Sequence, residues 1–85
     1  MVYKIEYKSS VLHDLRQLNK ETASRILSEI HETLSNNPLV GERLHGEFAG
    51  LYKLRVGEYR VIYARIAKER VLILRIRHRS KAYEY

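Results

Sequence analysis

Cysteine is absent from this 85-residue chain. Disulfides, thiolate metal sites and cysteine nucleophiles are all excluded with it. A hydrophobic core, with or without a partner protein, must hold the fold. Long apolar runs are missing as well. The stretch from Val71 to Leu74 is far shorter than the ~20 residues that a membrane-spanning helix needs. The opening MVYKIEYK has no apolar signal core, so secretion is not expected. A cysteine-free chain suits the cytoplasm. Four glycines are present, and their spacing makes neither a P-loop nor a dinucleotide fingerprint. No pair of histidines and no His/carboxylate cluster falls at metal-ligand spacing, so neither a metal nor a cofactor is expected. At this length the expectation is one domain over residues 1–85, burying roughly 60–65% of the surface its unfolded chain exposes.

What the chain does have is positive charge, gathered in one half. Residues 1–50 hold six Lys or Arg and seven Asp or Glu, a net −1. Residues 51–85 hold ten Lys or Arg against three Glu, a net +7, which completes the chain's +6. Seven of those ten are arginine, the residue whose planar fork recognises phosphate bidentately. Any one of them reads best as a solvated side chain. The set points to a polyanion partner.

The periodicities place this segment on strands. VYKIEY (2–7) alternates and predicts a half-buried strand. Ser9 and Ser10 are candidate N-caps for a helix carrying Val11, Leu12, Leu15 and Leu18. Asn19 can end that helix or cap the next, which the stripe Ala23, Ile26, Leu27, Ile30 and Leu34 predicts from about Lys20 to Asn36. Asn36, Asn37 and Pro38 stop it. Residues 39–50 read as a loop with room for one short turn or strand. Three strands follow: Leu51 to Val56, Tyr59 to Ile66 across a Gly57-Glu58 turn, and Val71 to Ile76. The order β-α-α-β-β-β predicts an α+β fold: an N-terminal strand, a helical hairpin, then a three-stranded antiparallel meander, with the helices packed on one sheet face.

Period two then sorts the side chains. Tyr52, Leu54 and Val56 should meet the helices, leaving Lys53 and Arg55 on the open face. Arg60, just past the hairpin turn, should lie across from the end of that strand. Arg75 and Arg77 share a face. Tyr3, Tyr7, Tyr52 and Tyr63 read as core or sheet tyrosines, and His13 and His31 as surface residues. His45 falls in the loop.

LYKLRVGEYRVIY and VLILRIRHRSKAY, with YKIEYKSSVLHDLRQLNKE and NNP-x-x-G-E-R-L-x-G before them, resemble the RelE/ParE toxin superfamily over nearly the whole chain. The resemblance is to its RelE-like messenger-RNA interferase branch. It implies a toxin of a type II toxin–antitoxin system: an endoribonuclease that cleaves messenger RNA in the ribosomal A site and inhibits translation. Its partners would be a cognate RelB-like antitoxin, held in a hetero-oligomer, and the ribosome with its message; no membrane is implied. Residue by residue, Lys53 and Arg55 match the basic positions of Y-[KR]-x-[KR], Arg60 the arginine of G-x-Y-R, and Arg79 the arginine after the last strand. Tyr83 and Tyr85 both fit the terminal aromatic, and the sequence does not choose between them. Arg55 stands where some members have lysine. Arg65, Arg75, Arg77, His78 and Lys81 are then candidate RNA contacts. The alternative is a ParE-like toxin that binds DNA gyrase without nuclease activity; such chains generally lack this cationic set with its terminal tyrosine.

RNA brings its own nucleophile, the 2′-OH, so no metal is obligatory. Arginine is no base. Arg60 and Arg79 suit stabilisation of the phosphorane's negative charge. Lys53 and Tyr83 or Tyr85 are the candidate proton carriers, with Glu47 and His78 as further possibilities. The aromatic ring can alternatively stack on a splayed base.

Overall fold

The structure, a computed structural model, describes residues 3–81. In chain order it runs β1 (Lys4–Tyr7), α1 (Ser9–Arg16), α2 (Lys20–Leu34), β2 (Glu42–Arg43), a 3₁₀ turn at Gly46–Phe48, β3 (Tyr52–Val56), β4 (Tyr59–Ala67), β5 (Arg70–His78) and a second 3₁₀ turn at Arg79–Lys81. The five strands form one sheet in the order β1-β5-β4-β3-β2. β1 runs parallel to β5, and every other pairing is antiparallel. The expected meander is present. The stretch after Pro38 holds both a turn and a strand, and the strand supplies the second sheet edge. Val2, which the alternation assigned to the first strand, lies outside the described residues.

One face of the sheet packs on the helices. Ile26, Ile30 and Leu34, one turn apart on α2, are buried with Val11 of α1 against Val56, Val61, Tyr63, Val71, Ile73 and Ile76. Each fully buried side chain of this size contributes roughly 1.5–3 kcal/mol of hydrophobic transfer. Asn19 caps α2, its Oδ1 accepting from the Thr22 amide at 2.8 Å. The serine caps expected for α1 are not used. Lys8 holds that N-cap position without a side-chain bond, and both serines lie inside the helix. Ser10 is engaged elsewhere, its hydroxyl donating to the Leu74 carbonyl at 2.7 Å.

That bond belongs to a device the sequence pattern did not reveal. β1 has only four residues and pairs with β5 as far as Ile73. Beyond it, the β5 edge would expose unpaired backbone groups. α1 lies along this stretch and satisfies them with side chains one helical turn apart. Ser10 takes the Leu74 carbonyl, and Asp14 Oδ2 accepts the Ile76 amide at 2.9 Å.

Gly57 opens the β3–β4 turn with φ 60°, the conformation a type II′ hairpin needs at its first central residue. At Gly41 the demand is space. A Cβ there would collide with the Tyr63 hydroxyl and sit 2.8 Å from the Lys53 carbonyl. The fully buried Tyr63 donates to the Pro38 carbonyl at 2.8 Å and accepts from the Gly41 amide at 3.0 Å. Burial raises its hydroxyl pKa, and the Gly41 amide opposes that. Tyr63→Phe is therefore expected to cost about 1–2 kcal/mol, because two groups of the loop lose their partner. Urea unfolding checks this. An unchanged midpoint would mean that the loop rests on other contacts.

Candidate functional site

Hairpin geometry fixes which cations meet. Arg55 of β3 pairs with Arg60 of β4, and Arg60 pairs with Arg77 of β5. Directly paired residues project to the same face of a sheet. Three arginines therefore form one row across three adjacent strands, spanning roughly 10 Å. Their face is the one away from the helices, since Val56, Val61 and Ile76 beside them are core residues. Arg77 thus joins the centre of the set, where the sequence ranked it only as an RNA contact. Its register with Arg60 across β4 and β5 was the missing signal.

The row's charge is uncompensated among the described residues. Ion pairs there involve Lys53, Arg70, Arg75 and His78, and none involves Arg55, Arg60 or Arg77. The Nε atoms of Arg60 and Arg77 are buried and make no hydrogen bond. Paired like charges destabilise a sheet, and a buried donor without an acceptor carries its whole desolvation cost. An arriving anion relieves the first. Beside the row is a cleft of ≈ 120 Å³ lined by Arg55, Gly57, Glu58, Tyr59, Arg60 and Arg79. The Arg79 amide donates to the Glu58 carbonyl at 2.8 Å, which ties the end of β5 to the hairpin turn and brings a third guanidinium to the cleft, beside those of Arg55 and Arg60.

The other candidates are distributed differently. Lys53 shares the open face one register row away, but its ammonium pairs with Glu42 at 3.3 Å. Arg75 sits in that same row, opposite Ile62, and is held bidentately by Asp14 at 2.9 and 3.0 Å. Arg65 lies at the far end of β4, roughly 17 Å of strand from Arg60; it donates to the Lys68 carbonyl and covers the Tyr3 ring at 5.5 Å. His78 follows Arg77 and so turns to the opposite face. Its ring packs edge-on against Tyr59, its Nδ1 accepts from the Ser80 amide at 3.2 Å, and its Nε2 lies 3.5 Å from Glu58. Glu47 is exposed on the Gly46–Phe48 turn. The side chain of Lys81, and all of Tyr83 and Tyr85, lie outside the described residues. No three His, Cys, Asp or Glu among the described residues are grouped to hold a metal ion. No helix among them is long and apolar enough to cross a membrane.

This fold has known counterparts. Residues 5–83 match the family described as the ParE toxin of the type II toxin–antitoxin system parDE. The chain belongs to that toxin family. The toxin is 35% identical to Toxin RelG of Mycobacterium tuberculosis, over 98% of each chain. It is 32% identical to Toxin RelE of the same organism, over 95% of this chain and 86% of that one. Its fold superposes on a chain of the RelBE2 toxin–antitoxin complex from M. tuberculosis with a TM-score of 0.87, at 30% identity and 94% coverage of both. A double arginine-to-alanine mutant of the E. coli toxin RelE in the free state, at 20% identity, shares the fold with a TM-score of 0.79. The type II toxin reading and the expected fold are thereby established.

Proposed function

We propose that this toxin is a messenger-RNA endoribonuclease acting in the ribosomal A site as one cytoplasmic domain, with the Arg55–Arg60–Arg77 row as its phosphate site. The observation that carries the reading is the uncompensated row, with two guanidinium Nε atoms buried and unpartnered. Cleavage begins as the substrate's own 2′-OH gives up its proton and attacks the adjacent phosphorus, and it ends as the P–O5′ bond breaks, leaving a 2′,3′-cyclic phosphate and a 5′-oxygen that takes up a proton. The phosphorane carries more negative charge than the ground-state phosphodiester. Preformed donors facing it therefore stabilise the transition state more than the substrate. Arg60 and Arg77 are fixed on central strands and suit that clamp; Arg79 adds a donor from the turn, and Arg55 a flanking charge. Lys53 and Tyr83 or Tyr85 remain the candidate proton carriers, and the RNA supplies the nucleophile without a cofactor.

The relatives named RelE and RelG favour this reading, while the matching family is named for ParE and favours gyrase binding. A gyrase-binding toxin has no need of guanidinium groups converging on one phosphate-sized cleft. The partner we infer is a RelB-like antitoxin, since the RelE-type chains of M. tuberculosis and Pyrococcus horikoshii are seen in complex with RelB. Acidic residues on it would compensate the row. Induced expression should halt translation and leave new 5′ ends inside translated messages. Intact messages with accumulating gyrase-linked DNA breaks would assign the ParE-type activity instead.

A further inference from the structure

The open sheet face changes character one step from the arginine row. The next register row holds Lys53, Ile62 and Arg75. Both of its cations are already matched, Lys53 by Glu42 and Arg75 by Asp14. Beyond lies a depression of ≈ 260 Å³ lined by Lys8, Ser10, Leu51, Ile62, Leu74 and Arg75. Its floor is aliphatic: Leu51, Ile62 and Leu74. The hydroxyl of Ser10 is spent on the Leu74 carbonyl. Among the described residues, only Lys8 of the lining cations has no acidic partner. The two rows therefore offer different environments. One is cationic and uncompensated; the next is charge-matched and opens on an aliphatic floor, with Lys8 as the one unpaired cation of its lining among the described residues.

A nucleotide has the same two parts, an anionic phosphate and a flat, neutral base. Ile62 lies two residues from Arg60 on the same strand and face, roughly 7 Å away, within the reach of the sugar–base arm of a nucleotide whose phosphate sits on the row. We propose that this aliphatic shelf takes the nucleobase flanking the scissile phosphate, making Leu51 and Leu74 substrate-positioning residues. The proposal rests on the endoribonuclease reading and names the part of the RNA that its neighbouring surface binds. Because the shelf offers contact area and few free hydrogen-bonding groups, it should select for the presence and size of a base over its identity.

The test is a cycle between protein and RNA changes. Ribosomes are programmed with synthetic messages carrying an intact nucleotide or an abasic one on either side of the cleaved bond. Single-turnover cleavage is compared for wild type and Leu51→Ala/Leu74→Ala, with circular dichroism melts to confirm folding and Leu74→Ala alone as the milder variant. Both leucines are half-buried outside the helix-facing core. In wild type, removing the base on one side should slow cleavage roughly tenfold, the lower end of what one base contact contributes. In the variant the intact message should already be slowed about tenfold, and base removal should cost nothing further. Independent, multiplying losses at both positions overturn the proposal. So does unchanged cleavage with weakened antitoxin binding, which gives the shelf to an antitoxin side chain. No cleavage of intact message by wild type overturns the endoribonuclease reading itself, and the shelf assignment with it.

Discussion

Replacing Arg60 with alanine is expected to slow single-turnover cleavage of ribosome-bound message by roughly 10²–10³, the loss typical of one preorganised donor at a developing oxyanion. Arg60 is the middle of its row, paired on one side with Arg55 and on the other with Arg77. It is the only one of the three with an arginine directly opposite on both flanking strands. Its Nε is buried and makes no bond. Removing it deletes a group of the proposed clamp and also relieves two like-charge pairings. The melting temperature of Arg60→Ala should accordingly hold or rise while activity collapses, the signature of a site whose strain serves function. Arg60→Lys should recover only part of the rate, because an ammonium is a point charge and cannot reproduce the bidentate fork. Arg77→Ala should resemble Arg60→Ala, and the double variant should lose less than the product of the two if both act on one phosphorane, as proposed. Full cleavage by a folded Arg60→Ala protein would leave the row as a docking surface only.

The meander was legible because its signals are local. VGEY fixes a tight turn, and period two then sends Lys53 and Arg55 to one face and Tyr52, Leu54 and Val56 to the other, as found. Arg60 opposite Arg55 follows from the turn alone. What the sequence did not separate is compensation. Lys53, Arg55, Arg75 and Arg77 look alike as letters, yet two meet carboxylates and two do not. Glu42 reaches Lys53 because a two-residue strand forms in the loop after Pro38, and Asp14 reaches Arg75 across sixty-one positions. Neither contact has a periodicity to betray it. The parallel pairing of β1 with β5, and the edge that it leaves open, are equally non-local. Asp14 falls off the Val11, Leu12, Leu15 and Leu18 stripe of α1, where periodicity places solvent-facing residues, yet it is buried, with only 7% of its surface exposed.

That burial makes Asp14→Ala the substitution with the largest expected effect on stability, about 3–5 kcal/mol. Asp14 does two things at once. Its carboxylate receives two guanidinium bonds from Arg75 and also accepts the Ile76 amide. Truncation leaves a half-buried cation unpaired and a buried backbone donor on an open strand edge, each a cost that water cannot fully recover. For a chain of this length, total stability is on the order of 4–13 kcal/mol, so the loss is a large share of it. Roughly 4–8 °C per kcal/mol in a domain this small puts the fall in melting temperature above about 12 °C. A second variant separates the two roles. Arg75→Met keeps an apolar stem and leaves Asp14 free to accept the Ile76 amide, so it should cost clearly less than Asp14→Ala. Equal losses would place the stability in the ion pair and not in the capped edge. Activity gives a further readout, because Arg77 follows Ile76 on the same stretch of β5. If the Asp14 bond holds that stretch in register with β4, cleavage by Asp14→Ala, measured well below its melting temperature, should fall along with stability and further than cleavage by Arg75→Met.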